Sequence, residues 1–259
     1  MKKVLTIAGS DCSGGAGIQA DIKTITVHKL YGMSVITALT AQNTLGVTGV
    51  YEATPEFVGM QIDAVFEDIV PDAVKIGMVS NANIIRIIAE KLLYYKAKNV
   101  VVDPVMISTS GSKLLNDDAI DVLKNKLLTI ADVITPNIPE AENLAWFSIK
   151  CRDDMQKAAE KISNLTQGAV LIKGGHLEDS ADDLLFTAGK TFWLKSPKID
   201  NPNTHGTGCT LSSAIACNLA LGLTISESVE NAKEYITGAI KAGLNIGRGR
   251  GPLNHCYNL

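Results

Sequence analysis

Short apolar runs and helical stripes alternate along most of the chain. Val4 to Ala8 is an apolar run closed by Gly9-Ser10-Asp11, which predicts a buried strand ending in a loop. The glycine-rich stretch Cys12-Ser13-Gly14-Gly15-Ala16-Gly17 then feeds a segment whose apolar positions Ile18, Ile22 and Ile25 recur at i, i+4 and i+7, the stripe of an amphipathic helix. The alternation continues with a strand over Val35 to Leu39 closed by Gln42-Asn43, a short excursion over Val47 to Tyr51, and a helix over Phe57 to Phe66 with Pro55 at its start. A strand over Ala73 to Ile76 precedes a helix over Asn83 to Tyr95, and a strand over Val100 to Val102 precedes a helix over Asp118 to Leu127. Further on come a strand at Val133-Ile134, helices near Glu140 to Phe147 and Asp154 to Leu165, and a strand over Ala169 to Ile172. Leu184 to Phe186 and Thr191 to Leu194, joined through Ala188-Gly189, read as an antiparallel hairpin at one edge. Two helices, Cys209 to Leu221 and Ser226 to Asn245, and a surface turn over Gly247 to Gly251 complete the pattern.

Strands alternating with helices imply an α/β fold with a mainly parallel sheet covered on both faces. Ligands of such sheets sit beyond the carboxyl ends of the strands. The unusual residues gather at those ends: Gly9, Gln42, Gly77-Met78, Asp103, Asn137 and Lys173-Gly174-Gly175. No repeat, low-complexity tract or linker interrupts the 259 residues, 46% of them hydrophobic, so residues 1–259 are expected to form a single domain.

Charge narrows the partners. A net charge of −3 without a Lys/Arg run leaves no basic field for nucleic acid. The two uncharged stretches, Leu30 to Tyr51 and Gly206 to Ser226, carry amides, glycines and hydroxyls and are not continuous membrane spans. The Met1-Lys2-Lys3 start is followed by too short an apolar run for a signal peptide, and a cytoplasmic location is expected. Five scattered cysteines without a C-x-x-C pair argue for free thiols rather than disulfides or structural zinc.

Chemistry concentrates in Thr204-His205-Gly206-Thr207-Gly208-Cys209-Thr210-Leu211-Ser212, a loop with two glycines running into a nearly uncharged helix. Backbone N–H groups crowding such a helix start make an anion site, and Cys209 stands where a thiol ionises more readily than in free cysteine. Cys217, in an apolar helix, reads as an inert core thiol. No third partner supports a Cys209–His205 nucleophile pair. Gly15-Ala16-Gly17-Ile18-Gln19-Ala20 fits a loose dinucleotide pattern, but Thr40-Ala41-Gln42-Asn43 lacks the acidic residue for the ribose, and no P-loop motif occurs.

Each strand-end residue has a bland and a chemical reading. Asp21 is either a solvated carboxylate or an acceptor for a substrate hydroxyl at the sheet's mouth. Gln42 is a turn amide, or the donor and acceptor that suit an amino group beside a ring nitrogen. Met78 is core, or a soft wall for such a ring. Asp103, Asn137 and Glu140 are loop oxygens of the kind that suit Mg²⁺. Lys173 ends an apolar strand and points to phosphate contact, whereas Lys233 by composition is a surface lysine.

Taken together, Leu5 to Asp11, Ser13 to Asp21, Ala41-Gln42-Asn43-Thr44, Lys75-Ile76-Gly77-Met78, Asp103-Pro104-Val105-Met106, Thr135 to Ala141, Lys173-Gly174-Gly175-His176 and Thr204 to Thr210 resemble the bacterial hydroxymethylpyrimidine and phosphomethylpyrimidine kinases of thiamine synthesis. The resemblance runs over essentially the whole chain. It implies a ribokinase-like three-layer sandwich and two ATP-dependent steps, phosphorylation of 4-amino-5-hydroxymethyl-2-methylpyrimidine and then of its monophosphate to the diphosphate. Residue by residue, it implies an anion hole at Gly206, Thr207 and Gly208, with Cys209 as catalytic base. It also implies a pyrimidine pocket from Gln42, Asp21, Gly9, Met78 and Val105, phosphate contacts from Lys173 and Lys233, and Mg²⁺ placed by Asp103, Asn137 and Glu140. A homodimer is the expected assembly. Cys12 departs from the proline or serine of the family loop. A pyridoxal or pyridoxine kinase shares the glycine loop and the Gly-Cys pair, and Gln42 is the discriminating residue. A nucleotide-binding regulator without turnover would lack base or metal residues that are present here.

Overall fold

The computed structural model describes residues 1–106, 115, 117–175, 181–195 and 199–259. Among these, nine strands form one sheet in the order β3-β2-β1-β4-β5-β6-β7-β8-β9. The strands are β1 (Lys3–Asp11), β2 (Tyr31–Asn43), β3 (Gly46–Glu52), β4 (Ala73–Ile76), β5 (Val100–Val102), β6 (Val133–Ile134), β7 (Ala169–Ile172), β8 (Asp183–Thr187) and β9 (Lys190–Leu194). β2, β1 and β4 to β7 run parallel, and the antiparallel strands β3, β8 and β9 lie at the two edges.

The two-residue period of the strands sorts their side chains into two cores. Leu5, Ile7, Val74, Ile76, Val100, Val102, Ile134, Val170 and Ile172 face one way. There they meet α2 (Pro55–Phe66), α3 (Ala82–Tyr94), α4 (Asp117–Val122), α5 (Ile138–Ala145) and α6 (Arg152–Ile162). Val4, Ala73, Val101, Val133, Ala169 and Leu171 face the other way, against α1 (Gly17–Val27), α7 (Thr207–Ala220) and α8 (Ile225–Ala242). This is the three-layer α/β sandwich expected from the alternation. α7 is buried on every side from Thr210 to Ala220, which explains why its sequence carries no polar face.

Three readings of single elements need correction. The segment Val47 to Tyr51 is no excursion but part of β3, paired antiparallel with a β2 that is much longer than Val35 to Leu39. β2 and β3 are exposed on alternate positions, so the apolar run that marks a buried strand is missing there. The helix read over Asp118 to Leu127 gives way after Val122 to a π turn at Leu123–Leu127 and a 3₁₀ turn at Leu128–Ile130. Finally, Gly251 of the expected surface turn is buried, its N–H donating to Asn203 Oδ1 at 3.1 Å. His176 lies outside the described residues. No described helix is long and apolar enough to cross a membrane.

Candidate active site

The carboxyl ends of the parallel strands open into a cavity of about 1230 Å³. β1 supplies Gly9 and Asp11, β2 supplies Gln42, and the turns after β4 and β5 supply Met78, Asp103 and Val105. The segments after β6 and β7 add Asn137, Glu140 and Lys173, α7 adds Gly206 to Cys209, and α8 adds Lys233. Of the residues to which the resemblance gives a site role, all but Asp21 line this one space.

The glycine loop enters α7 through Gly206, in the left-handed region at φ 84°, where a Cβ would run into the Gly15 carbonyl. No side chain caps the helix, whose first turn borders the cavity; of its N–H groups that of Thr207 donates to the Thr204 carbonyl at 3.3 Å. Gly208 keeps the helix backbone close to the charged pair beside it: a Cβ there would lie 3.1 Å from Asp103 Oδ2 and 3.4 Å from Lys173 Nζ. Lys173 Nζ donates to Asp103 Oδ1 at 2.7 Å, and Thr135 Oγ1 donates to the same oxygen at 3.0 Å. Burial opposes the Lys173 charge, but Asp103 and Glu140 more than offset it and raise its pKa.

Cys209 requires a correction. Its position at the helix start predicted a readily ionised thiol, yet burial pushes it up to about 11, with Lys75 pulling down and Asp21 and Asp103 pushing up. The Gly17 N–H donates to the sulfur and helps in the lowering sense. Desolvation outweighs the helix start here, although Cys209 is only half-buried and borders the cavity.

Asp21 is also corrected. It is fully buried and does not reach the cavity. Its carboxylate accepts from Thr6 Oγ1 at 2.6 Å, Ser213 Oγ at 2.7 Å and Lys75 Nζ at 2.8 and 2.9 Å, leaving no room for a substrate hydroxyl. Lys75, equally buried, was missed from the sequence. Its signal was there: a lysine inside the buried strand Ala73-Val74-Lys75-Ile76 requires a carboxylate partner.

Asn137 does not present a metal ligand. Its Oδ1 accepts from the Glu140 N–H at 2.9 Å, while Glu140 Oε2 accepts from the Asn137 N–H at 2.8 Å, a capping box at the start of α5. Glu140 is pushed up to about 7 by burial, with Lys173 opposing and Asp103 adding. Glu140 Oε2 is engaged in the same box, so Glu140, like the Asp103 carboxylate beside the anion loop, suits a hard cation held through its water. Among the described residues no cluster of three or more His, Cys, Asp or Glu forms an all-protein metal cage. Lys233 faces the cavity but is paired, donating to Asp183 Oδ2 at 2.5 Å and to the Ala181 carbonyl at 3.1 Å.

His205 faces away from nucleophilic chemistry with Cys209 and towards Asp11, with Nε2 2.8 Å from Asp11 Oδ2. Burial alone would raise the Asp11 carboxyl. Hydrogen bonds from His205, from the Ser13 hydroxyl and N–H and from the Ala16 N–H hold it well below the usual carboxylate range.

The chain is similar to known proteins over nearly its whole length. The family model described as phosphomethylpyrimidine kinase matches residues 11–254. The hydroxymethylpyrimidine/phosphomethylpyrimidine kinase of Bacillus subtilis is 48% identical over 98% of this chain and 94% of its own length. The thiamine biosynthesis bifunctional protein of Geobacter sulfurreducens is 50% identical over 97% of this chain, which spans about half (52%) of that longer relative. A crystal structure of phosphomethylpyrimidine kinase from Clostridium difficile is 51% identical, with a TM-score of 0.84 over 93% of this chain and 100% of that one. An ADP complex of Bacillus subtilis pyridoxal kinase is 38% identical, with a TM-score of 0.91 over 98% and 97% of the two chains.

Proposed function

The chain belongs to the phosphomethylpyrimidine kinase family, and from that premise we propose that it uses ATP to phosphorylate 4-amino-5-hydroxymethyl-2-methylpyrimidine, and then its monophosphate to the diphosphate, in thiamine synthesis. The observation that carries the reading is the convergence of Gln42, the Gly206–Cys209 turn and the Asp103–Lys173 pair on one cavity.

Phosphoryl transfer needs positioning and charge stabilisation more than covalent help. Gly206, Thr207 and Gly208 offer N–H groups to the transferred phosphoryl, and Lys173 offers a cation beside them. Gly9, Gln42, Met78 and Val105 form the pyrimidine pocket, with the Gln42 amide reading the amino group and the adjacent ring nitrogen. Cys209 takes the proton of the hydroxymethyl group. Asp21 acts at one remove, holding Lys75 beneath Cys209. Asp103 and Glu140 would hold Mg²⁺ through its water, and that ion supplies charge neutralisation across the ATP phosphates. Lys233 serves the phosphate end once released from Asp183. Residues 1–259 act as a single ribokinase-like kinase domain in the cytoplasm. Exposed Leu39, Leu45, Val50, Tyr51, Phe57 and Met60, on β2, α2 and the β2–β3 hairpin, suit burial in a homodimer.

ATP consumption measured with the aminopyrimidine alcohol, its monophosphate and pyridoxal side by side tests the reading. Turnover of the first two is expected. Turnover of pyridoxal alone would replace it with the second reading, a pyridoxal kinase, the activity named for the related Bacillus subtilis structure.

A further inference from the structure

The two proposed steps differ in what accepts the phosphoryl group. In the first the acceptor is a neutral hydroxymethyl group. In the second it is a phosphate, one oxygen of which bonds to the γ phosphorus of ATP as the bond to ADP breaks. That acceptor brings about two negative charges up to the phosphates of ATP. The anion loop serves the transferred phosphoryl in both steps, so the added charge calls for a cation on the acceptor's side.

Among the described residues, three Lys or Arg side chains line the cavity: Lys173, Lys233 and Arg250. Lys173 is paired with Asp103 beside the anion loop, and Lys233 with Asp183 at the start of β8. Arg250 comes from the last loop of the chain, and the backbone on both of its flanks is tied down. On one flank the Arg248 and Gly249 N–H groups donate to Thr44 Oγ1 at 3.2 and 3.1 Å, in the turn that follows Gln42. The two segments touch so closely that a Cβ on Gly249 would run into the Thr44 carbonyl. On the other flank the Gly251 carbonyl accepts from the His205 N–H at 3.1 Å, and the Gly251 N–H donates to Asn203 Oδ1. Arg250 therefore stands between the strand end that carries Gln42 and the residue that precedes Gly206. Those are the pyrimidine side and the phosphoryl side of the same space.

We propose that Arg250 is a specificity-determining residue for the second step: its guanidinium takes the phosphate of the monophosphate and makes no contact that the alcohol needs. The inference rests on the two-step reading above. A guanidinium suits the task because its planar fork meets two phosphate oxygens at once, where an ammonium acts as a point charge. It also gives a reason for the Thr44 clasp, which holds the loop of Arg250 against the hairpin that follows Gln42.

The test measures kcat/KM for the alcohol and for the monophosphate in wild type, Arg250→Met, Arg250→Gln and Arg250→Lys. Arg250→Met is expected to lower kcat/KM for the monophosphate at least about tenfold, chiefly through KM. In the same variant kcat/KM for the alcohol and KM for ATP are expected to stay within about threefold of wild type. Arg250→Lys, which keeps the charge and loses the fork, lies between the two. KM for the monophosphate is expected to rise more steeply with added salt in wild type than in Arg250→Met, which a purely structural role would not produce. An equal fall on both substrates assigns Arg250 to the loop alone, and a rise in KM for ATP assigns it to the nucleotide; either overturns the proposal. So does an unchanged ratio between the substrates. If Arg250→Met does not fold, Arg250→Gln, with a polar end on an exposed side chain, decides by the same criterion. A wild-type enzyme that phosphorylates neither substrate removes the two-step reading and this proposal with it. One that turns over both, with the ratio unchanged in the variants, removes this proposal alone.

Discussion

Cys209 carries the sharpest consequence at the scale of one residue. A thiol held near 11 is almost wholly protonated at neutral pH, so a thiolate base acts through a small ionised fraction. If chemistry limits the rate, kcat then climbs by about tenfold per pH unit between pH 7 and 9. Cys209→Ala lowers kcat far more than KM and abolishes that slope. A flat wild-type profile, or near-normal turnover in the alanine variant, removes Cys209 as the base. The buried pair below it makes a second prediction. Lys75→Met strands the Asp21 carboxylate without its cation and costs about 3–5 kcal/mol in denaturant unfolding. The double variant Lys75→Met/Asp21→Leu regains part of that loss, since removing both charges removes the need for either. Cys209 and Gln42 could be picked out from sequence because glycines and strand ends flag them. Asp21 could not be placed, because helix periodicity tells which residues share a face and not whether a lysine from another strand fills the space in front of them.

At the scale of elements, the parallel strands β1 and β4 to β7 announced themselves as apolar runs, since both of their faces are buried. β2 and β3 did not, because half of their side chains meet solvent. The cap of α5 shows how one motif supports two readings. Asn137 and Glu140 three residues apart describe a metal site and a capping box equally well in sequence, and only the geometry separates them. Asn137→Ala is therefore expected to cost about 1 kcal/mol of stability while leaving the Mg²⁺ concentration for half-maximal activity within about twofold. Asp103→Asn raises that concentration at least about tenfold. A Mg²⁺ titration of both variants, with circular-dichroism melts alongside, checks the pair of outcomes. A matching rise in Mg²⁺ demand for Asn137→Ala would return it to the metal site.

Across the whole molecule, the last residues close one side of the sandwich, and His255 is their titratable anchor. It is buried, with Nε2 3.0 Å from Thr210 Oγ1, and its pKa is pushed down to about 4 from 6.5 by burial, with Lys23 adding and the Leu253 backbone opposing. Between pH 6.5 and 4 the unfolded chain binds a proton that the folded chain refuses, so the stability from this depressed pKa is full above 6.5 and lost on acidification. The loss approaches about 3 kcal/mol at the acid end. Urea midpoints at pH 7 and pH 4.5 are expected to differ less in His255→Gln than in wild type. Equal acid sensitivity in the two would assign the effect to other groups.

The sealing of Lys75 also makes it an internal clock. Its ammonium lies in the layer between β4 and α7 with no exposed surface, so an acylating reagent marks it only while sheet and helix part. With reagent in excess, so that labelling outruns reclosure, the appearance of acyl-Lys75 in a peptide digest follows the opening rate itself. A ligand that fills the cavity above Cys209 stabilises the closed layer and lengthens that interval, so binding can be timed from beneath the site by a residue the ligand never touches.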